Sequence, residues 1–228
     1  MQNEPDQVVA GNPHQQREQR REAARQRAIG LSSQAAKLTR AMSDDPSTIN
    51  GFGHGGEHTR ALALQLIRSV PQGIFFYQRR LGLRSHDDPI DLVAIVPSGV
   101  WVIDIQQCGG GRVQVAGRKG LLSSRYSHVL IRGRDRTAYL DRLMGQTRVV
   151  KEALETVGLG AVPVHPAFCF VDASTGWRRT PEVGDAVLTK PKRLTSMLLH
   201  HGRVLSDVEV ATTAQALGQK LPRQHIRD

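Results

Sequence analysis

The sequence predicts a mixed α/β domain, a β-sheet flanked by helices, and three observations carry that prediction. Two β-rich runs, residues 91–96 and 100–105, are separated only by Pro97-Ser98-Gly99, which is hairpin spacing with turn residues in the gap. Apolar residues recur at helical spacing over 58–70 and again over 137–157. A mostly apolar run at 162–171, interrupted by Pro163 and Pro166, follows the second helix as a further strand.

Residues 1–50 read as a polar N-terminal extension. Its centre, 15–42, is rich in Ala, Gln, Arg and Glu, which favour helix, but has few large apolar residues to bury. A solvated helix and a disordered leader are both consistent with it. Ser43-Asp44-Asp45-Pro46-Ser47 is turn chemistry and marks the linker to a domain spanning 51–222, with 223–228 as a C-terminal tail. In the first helix, Leu62, Leu66, Ile67 and Val70 make one apolar face, and Pro71 with Gly73 ends it. Residues 73–78 are a β-type run, followed by a polar loop that holds Arg79, Arg80, Arg84, Asp87, Asp88 and Pro89. If Val96 pairs with Gly99 or Val100, partner numbers in the hairpin sum to 195 or 196, so Asp91 lies opposite Asp104 or one residue away. Gln106 then points the same way as Asp104.

After Gly109-Gly110-Gly111, residues 113–115 and 128–131 read as short strands. The long helix at 137–157 uses Leu140, Leu143, Met144, Val150, Leu154 and Val157 and is closed by Gly158. Residues 186–189 are another strand. Helices over 192–200 and 206–221 complete the chain, the second opening on Ser206-Asp207-Val208-Glu209, a capping-box pattern.

The chain carries 31 Lys and Arg against 21 Asp and Glu, a net of +10. The extension contributes +1, so residues 51–228 carry +9, which points to a polyanionic partner, nucleic acid ahead of a membrane surface. Ten aromatic residues argue against a base-stacking platform for single strands. No run reaches the 18 or more apolar residues of a membrane span, and the first thirty residues lack the apolar run of a signal peptide, so a cytoplasmic protein is expected. Cys108 and Cys169 are too few for a disulfide framework or a four-thiolate zinc site. The segment 112–136 concentrates Arg112, Arg118, Lys119, Arg125, Arg132, Arg134 and Arg136 around one acid, Asp135, and is the candidate phosphate contact.

Three acids stand out by position: Glu57 at the first helix start, Asp91 entering the hairpin and Asp104 leaving it. Facing carboxylates on adjacent strands can hold Mg²⁺, which activates water and stabilises the charge of a phosphodiester under attack. Solvated acids at strand ends are the bland alternative.

The runs Gly53-His54-Gly55-Gly56-Glu57, Pro89-Ile90-Asp91-Leu92-Val93 and Val96-Pro97-Ser98-Gly99-Val100-Trp101-Val102-Ile103-Asp104 resemble the nuclease-related domain family, often called NERD. The resemblance extends through Asp141 and Gln146 in the long helix and covers about residues 51–222. It implies a restriction-endonuclease-like fold, a mixed sheet flanked by helices whose sites bind Mg²⁺ and cut DNA, with Glu57, Asp91 and Asp104 as the acidic triad and metal ligands. The family's active-site lysine, two residues after the second strand acid, is Gln106 here, and Leu92 replaces its histidine. Glutamine can hydrogen-bond but supplies no charge to offset that of the transition state. Two functions follow: DNA cleavage at a site using Gln106, or a non-catalytic nucleic-acid-binding or interaction module on the same fold.

Other motifs carry less. His54-Gly55-Gly56-Glu57-His58 spells an inverted zinc-peptidase pattern, but adjacent glycines disfavour the helix it needs and no further ligand follows. The glycine run 51–56 lacks the Lys-Ser/Thr of a phosphate loop, and Ser98 lacks the G-x-S-x-G context of a nucleophile elbow. His200-His201 end a helix, whose negative end they suit.

Overall fold

The computed structural model of the chain describes residues 57–80, 89–117 and 126–221. The expected N-terminal extension (1–50), the glycine run at 51–56 and the C-terminal tail (223–228) lie outside the described residues. The architecture is α/β, a mixed sheet with helices on both faces, as the sequence predicts.

Helix α1 (Glu57–Ser69) is followed by strands β1 (Ile74–Arg79), β2 (Ile90–Val96) and β3 (Gly99–Gln107), paired antiparallel in that order. The β2–β3 register runs from Val96↔Gly99 to Leu92↔Ile103, partner numbers summing to 195, the tighter of the two expected registers. Gly99 sits at φ +121°, and a Cβ there would lie 2.5 Å from the Pro163 carbonyl oxygen, which accepts the Val100 N–H. Only glycine lets β3 start this close to its next partner.

That partner is β7 (Val164–Val171), parallel to β3 along its length, and β9 (Ala186–Thr189) continues the parallel set beside β7. Parallel neighbours need a crossover. The crossover from β3 to β7 contains β4 (Val113–Gly117), β5 (Tyr126–Ile131), β6 (Arg134–Asp135) and helix α2 (Thr137–Glu155). The two-residue β8 (Glu182–Val183) bridges β9 to β5, completing the order β1-β2-β3-β7-β9-β8-β5-β4, with β6 on β5. Helices α3 (Pro191–His200) and α4 (Asp207–Lys220) close the described chain, α4 with the expected capping box between Ser206 and Glu209. Helix α2 ends two residues before the expected position: Gly158, at φ +78°, turns the chain so that the Leu159 N–H reaches the Leu154 carbonyl.

The central strands are apolar on both faces because both are covered. On one face Val93, Val102, Phe168 and Leu188 pack with Leu143 and Val150 of α2 and Leu217 of α4. On the other, Leu92, Trp101, Ile103 and Cys169 pack with Leu66 of α1 and Leu194 of α3. Cys108 and Cys169 are free thiols, both buried. Among the described residues no helix is long and apolar enough to cross a membrane.

The hairpin turn is also a docking point. The Pro97 carbonyl accepts from both Val204 and Leu205 N–H groups at 2.8 Å, fixing the chain between α3 and α4. Trp101 Nε1 donates to Ser98 Oγ at 3.0 Å, and His165 Nε2 donates to the Ser98 carbonyl at 3.2 Å. The His165 ring lies 4.7 Å from Trp101 and 5.2 Å from His201. Burial holds His165 below its ordinary value of 6.5, with the charges of His201 and Lys151 adding to the effect and the Ser98 hydrogen bond opposing it.

The unfolded chain therefore binds a proton at this residue before the folded chain does. The stability linked to His165 is complete above about pH 6.5 and is lost as pH falls from there towards the depressed folded value. Urea denaturation at about pH 7.5 and 5.5 should give a lower midpoint at the acid value, and His165→Gln should shrink that difference. An equal drop in the variant would assign the acid sensitivity elsewhere.

Candidate nucleic-acid interface

Strand β3 carries Asp104 towards the C-terminal end of the parallel strands, in register with Phe168 of β7. Continuing the hairpin register one pair past Leu92↔Ile103 sets Asp91 opposite Asp104. Here Asp91 uses its side chain in place of main chain: Oδ2 accepts the Ile105 N–H at 2.8 Å. Tyr77 of β1 feels the same carboxylate. Its phenol is pushed up to about 12, first by burial and next by the Asp91 charge, against the Gln78 hydrogen bond and the Arg60 charge. Glu57 begins α1 one turn before Arg60, but its side chain lies outside the described part.

Asp104 is 2% exposed. Its Oδ1 accepts from Gln106 Nε2 at 2.7 Å, so the expected shared direction of these two side chains is realised as a bond. Its Oδ2 accepts from Arg142 Nη2, also at 2.7 Å. Helix α2 supplies that guanidinium because Tyr139, Arg142 and Gln146 follow the three- and four-residue spacing of one helical face. Gln146 is buried and donates to the Pro89 carbonyl at the start of β2, at 3.5 Å. The Tyr139 ring lies 5.2 Å from the Arg142 guanidinium and 5.4 Å from that of Arg136, both cation–π contacts. Asp141, in contrast, is exposed.

Beside Gln106 opens a concavity of about 650 Å³ lined by Arg132, Arg134, Arg136, Tyr139 and Cys108. Among the described residues that line it, none is acidic. Arg132 is partly structural: Nη2 donates to the Cys108 and Gly109 carbonyls, each at 2.8 Å. The loop glycines make room, since a Cβ at Gly109 or Gly111 would meet that side chain within 2.8 Å. Arg112 is exposed before β4 and does not line the concavity, while Arg118, Lys119 and Arg125 lie outside the described residues. Burial raises the Cys108 thiol more than the Arg132 charge lowers it, so this is no activated nucleophile.

The structure thus brings Asp91, Asp104 and Gln106 together and adds Arg142 and Tyr139, which sequence reasoning passed over. Arg142 sits between exposed Asp141 and buried Leu143, at the boundary of the apolar face, where a guanidinium can reach inward. That boundary position is its one local signal. Comparison with family models, curated proteins and solved structures finds no match for this chain.

Asp91 and Asp104, the two expected ligands whose side chains are described, do not fit Mg²⁺. A hard divalent cation wants carboxylate oxygens facing outward with net negative charge around them. Asp104 instead already holds a guanidinium, its other oxygen is taken by an amide, and Asp91 is spent on the Ile105 N–H. The surrounding arginines repel a second cation and attract an anion.

Because Asp104 is buried, losing Arg142 leaves a carboxylate without its cation in low dielectric. Arg142→Met should lower the unfolding free energy by about 2–3 kcal/mol, discounted because Arg142 is 31% exposed. Asp104→Asn in the same chain should recover much of that loss. Additive losses in chemical denaturation would mean that the two residues do not act as a pair.

Proposed function

We propose that this chain is a nucleic-acid-binding protein with a nuclease-related, restriction-endonuclease-like core, and that it holds the phosphate backbone of DNA without cutting it. One observation carries the reading: the buried pair Asp104–Arg142 lies behind an arginine-lined concavity, joined to it through Gln106 and Tyr139, at the position where a metal-dependent nuclease needs exposed carboxylates. The cation at Asp104 comes from helix α2 and is covalently part of the protein. Gln106 orients Asp104 through its amide and brings no charge of its own.

The chemistry of such a site is electrostatic. Arg134 and Arg136 contact phosphate oxygens, releasing the counterions condensed on the nucleic acid, and the +9 on residues 51–228 draws the polyanion in. Tyr139, clasped by two guanidiniums, stiffens the arms that make the contact. The proposed order of parts follows the resemblance: an acid on β2, a Pro-Ser-Gly turn, an acid on β3, then a helix returning to the acids. DNA is the favoured partner on that resemblance. The facing of Asp91 and Asp104 favours the second reading, Mg²⁺-dependent cleavage, and the two are separable.

Purified protein incubated with supercoiled, linear and branched DNA in Mg²⁺ or Mn²⁺ should leave every substrate intact, and Gln106→Lys should stay inert. Its DNA affinity should fall steeply with salt, by roughly one decade per decade of salt for each phosphate contact. Metal-dependent cleavage that disappears in Asp104→Ala would establish the nuclease reading instead. An affinity indifferent to salt would remove the nucleic-acid reading altogether.

A further inference from the structure

The edge of the sheet that carries Gln106 holds a second cationic concavity, remote in sequence from the arginines at 132–136. It measures about 480 Å³ and is lined by Arg178, Arg179, Lys190 and Arg193, with Trp177 and Thr189. All four cations are exposed, and among the described lining residues none is acidic. Like charges gathered around one concavity repel each other, and an anion placed among them relieves that repulsion.

The support beneath is rigid. Trp177 packs edge-on against Phe170 of β7, with ring centroids 5.8 Å apart. Arg193 Nε donates to Thr180 Oγ1 at 3.2 Å and ties α3 to the loop that carries Arg178 and Arg179. Strand register then relates the two concavities. Gln106 pairs with Phe170, and Cys169 pairs with Thr189, so the backbones at Gln106 and Lys190 stand about two strand spacings apart, on the order of 10 Å. Both belong to the C-terminal edge of the parallel strands, where ligands of α/β sheets gather. Arg178 and Arg179 also border a larger concavity of about 1040 Å³, but Glu182 and Asp185 line it and disfavour an anion there. The phosphate path is thereby confined to the α3 side.

We propose that Arg178, Arg179, Lys190 and Arg193 form a second phosphate-backbone contact, engaged by the same DNA that Arg134 and Arg136 hold. This rests on the nucleic-acid reading and extends it from a single contact to a track across the strand ends.

The test measures binding of a labelled duplex of about 20 base pairs across a salt series for the wild type and three variants. Arg178→Glu/Arg179→Glu should weaken binding at least about tenfold and flatten the salt slope by about one to two contacts. Arg134→Ala/Arg136→Ala, at the first concavity, should also weaken it. Arg68→Glu/Arg203→Glu, an equal charge change at the opposite edge of the sheet, should cost far less. Unfolding curves confirm that each variant is folded, with Arg178→Gln/Arg179→Gln as the milder substitute. If the 178/179 variant binds like the wild type while the 134/136 variant does not, the second contact is overturned and the DNA reading stands. If the Arg68/Arg203 control loses as much, bulk charge explains the effect and the second contact is again overturned. If the wild type itself does not bind, both fall together.

Discussion

Asp104 is sealed from water at the end of β3, and a carboxylate in that position demands a positive partner and hydrogen bonds on both oxygens. Arg142 and Gln106 meet the demand from different directions, one across the helix–sheet interface and one along the strand. Much else is arranged around this. Helix α2 must present Tyr139, Arg142 and Gln146 on a single face towards the strand ends, and β2 must begin where Asp91 can accept the Ile105 N–H. The ion pair couples the orientation of α2 to the position of β3.

The same pair decides what the site can do. A sheet edge carrying two facing carboxylates is a place for a hard cation until one carboxylate acquires a guanidinium. It then becomes a neutral element within a positive surface. Arg134 and Arg136 border it on one side, and Arg178, Arg179, Lys190 and Arg193 lie two strands away, so this edge carries two clusters of positive charge. The positive charge beside Asp104 comes from α2, from a residue 38 positions away, while Gln106, two positions along β3, brings only its amide.

How far this was legible in the sequence follows from the range of each interaction. The hairpin was readable because β-rich runs and a turn are local, and they narrowed the register to two, of which the structure adopts the one that sets Asp91 against Asp104. The helices were readable to within about two residues from their periodicity and, for α4, from the capping box. Parallel pairing of β3, β7 and β9 was not, since a parallel partner leaves no mark on either strand. The two-residue strands β6 and β8 are too short to show a pattern. Arg142 was missed because its partner lies on another element, and the second basic concavity because its three arginines and one lysine come from a loop, a strand end and a helix. Of the arginine-rich segment, three members line a concavity and Arg112 does not, a distinction that charge counting has no means to draw.

The most direct measurement is a pair of NMR titrations that follow the Asp104 side-chain carboxyl carbon and the Arg142 guanidinium protons. With the ion pair intact, millimolar Mg²⁺ should leave both resonances in place, while a short DNA duplex should shift the guanidinium signals of Arg142, Arg134 and Arg136. A saturable Mg²⁺-dependent shift of the Asp104 carboxyl, with release of the Arg142 signal, would contradict the account and make this edge a metal site.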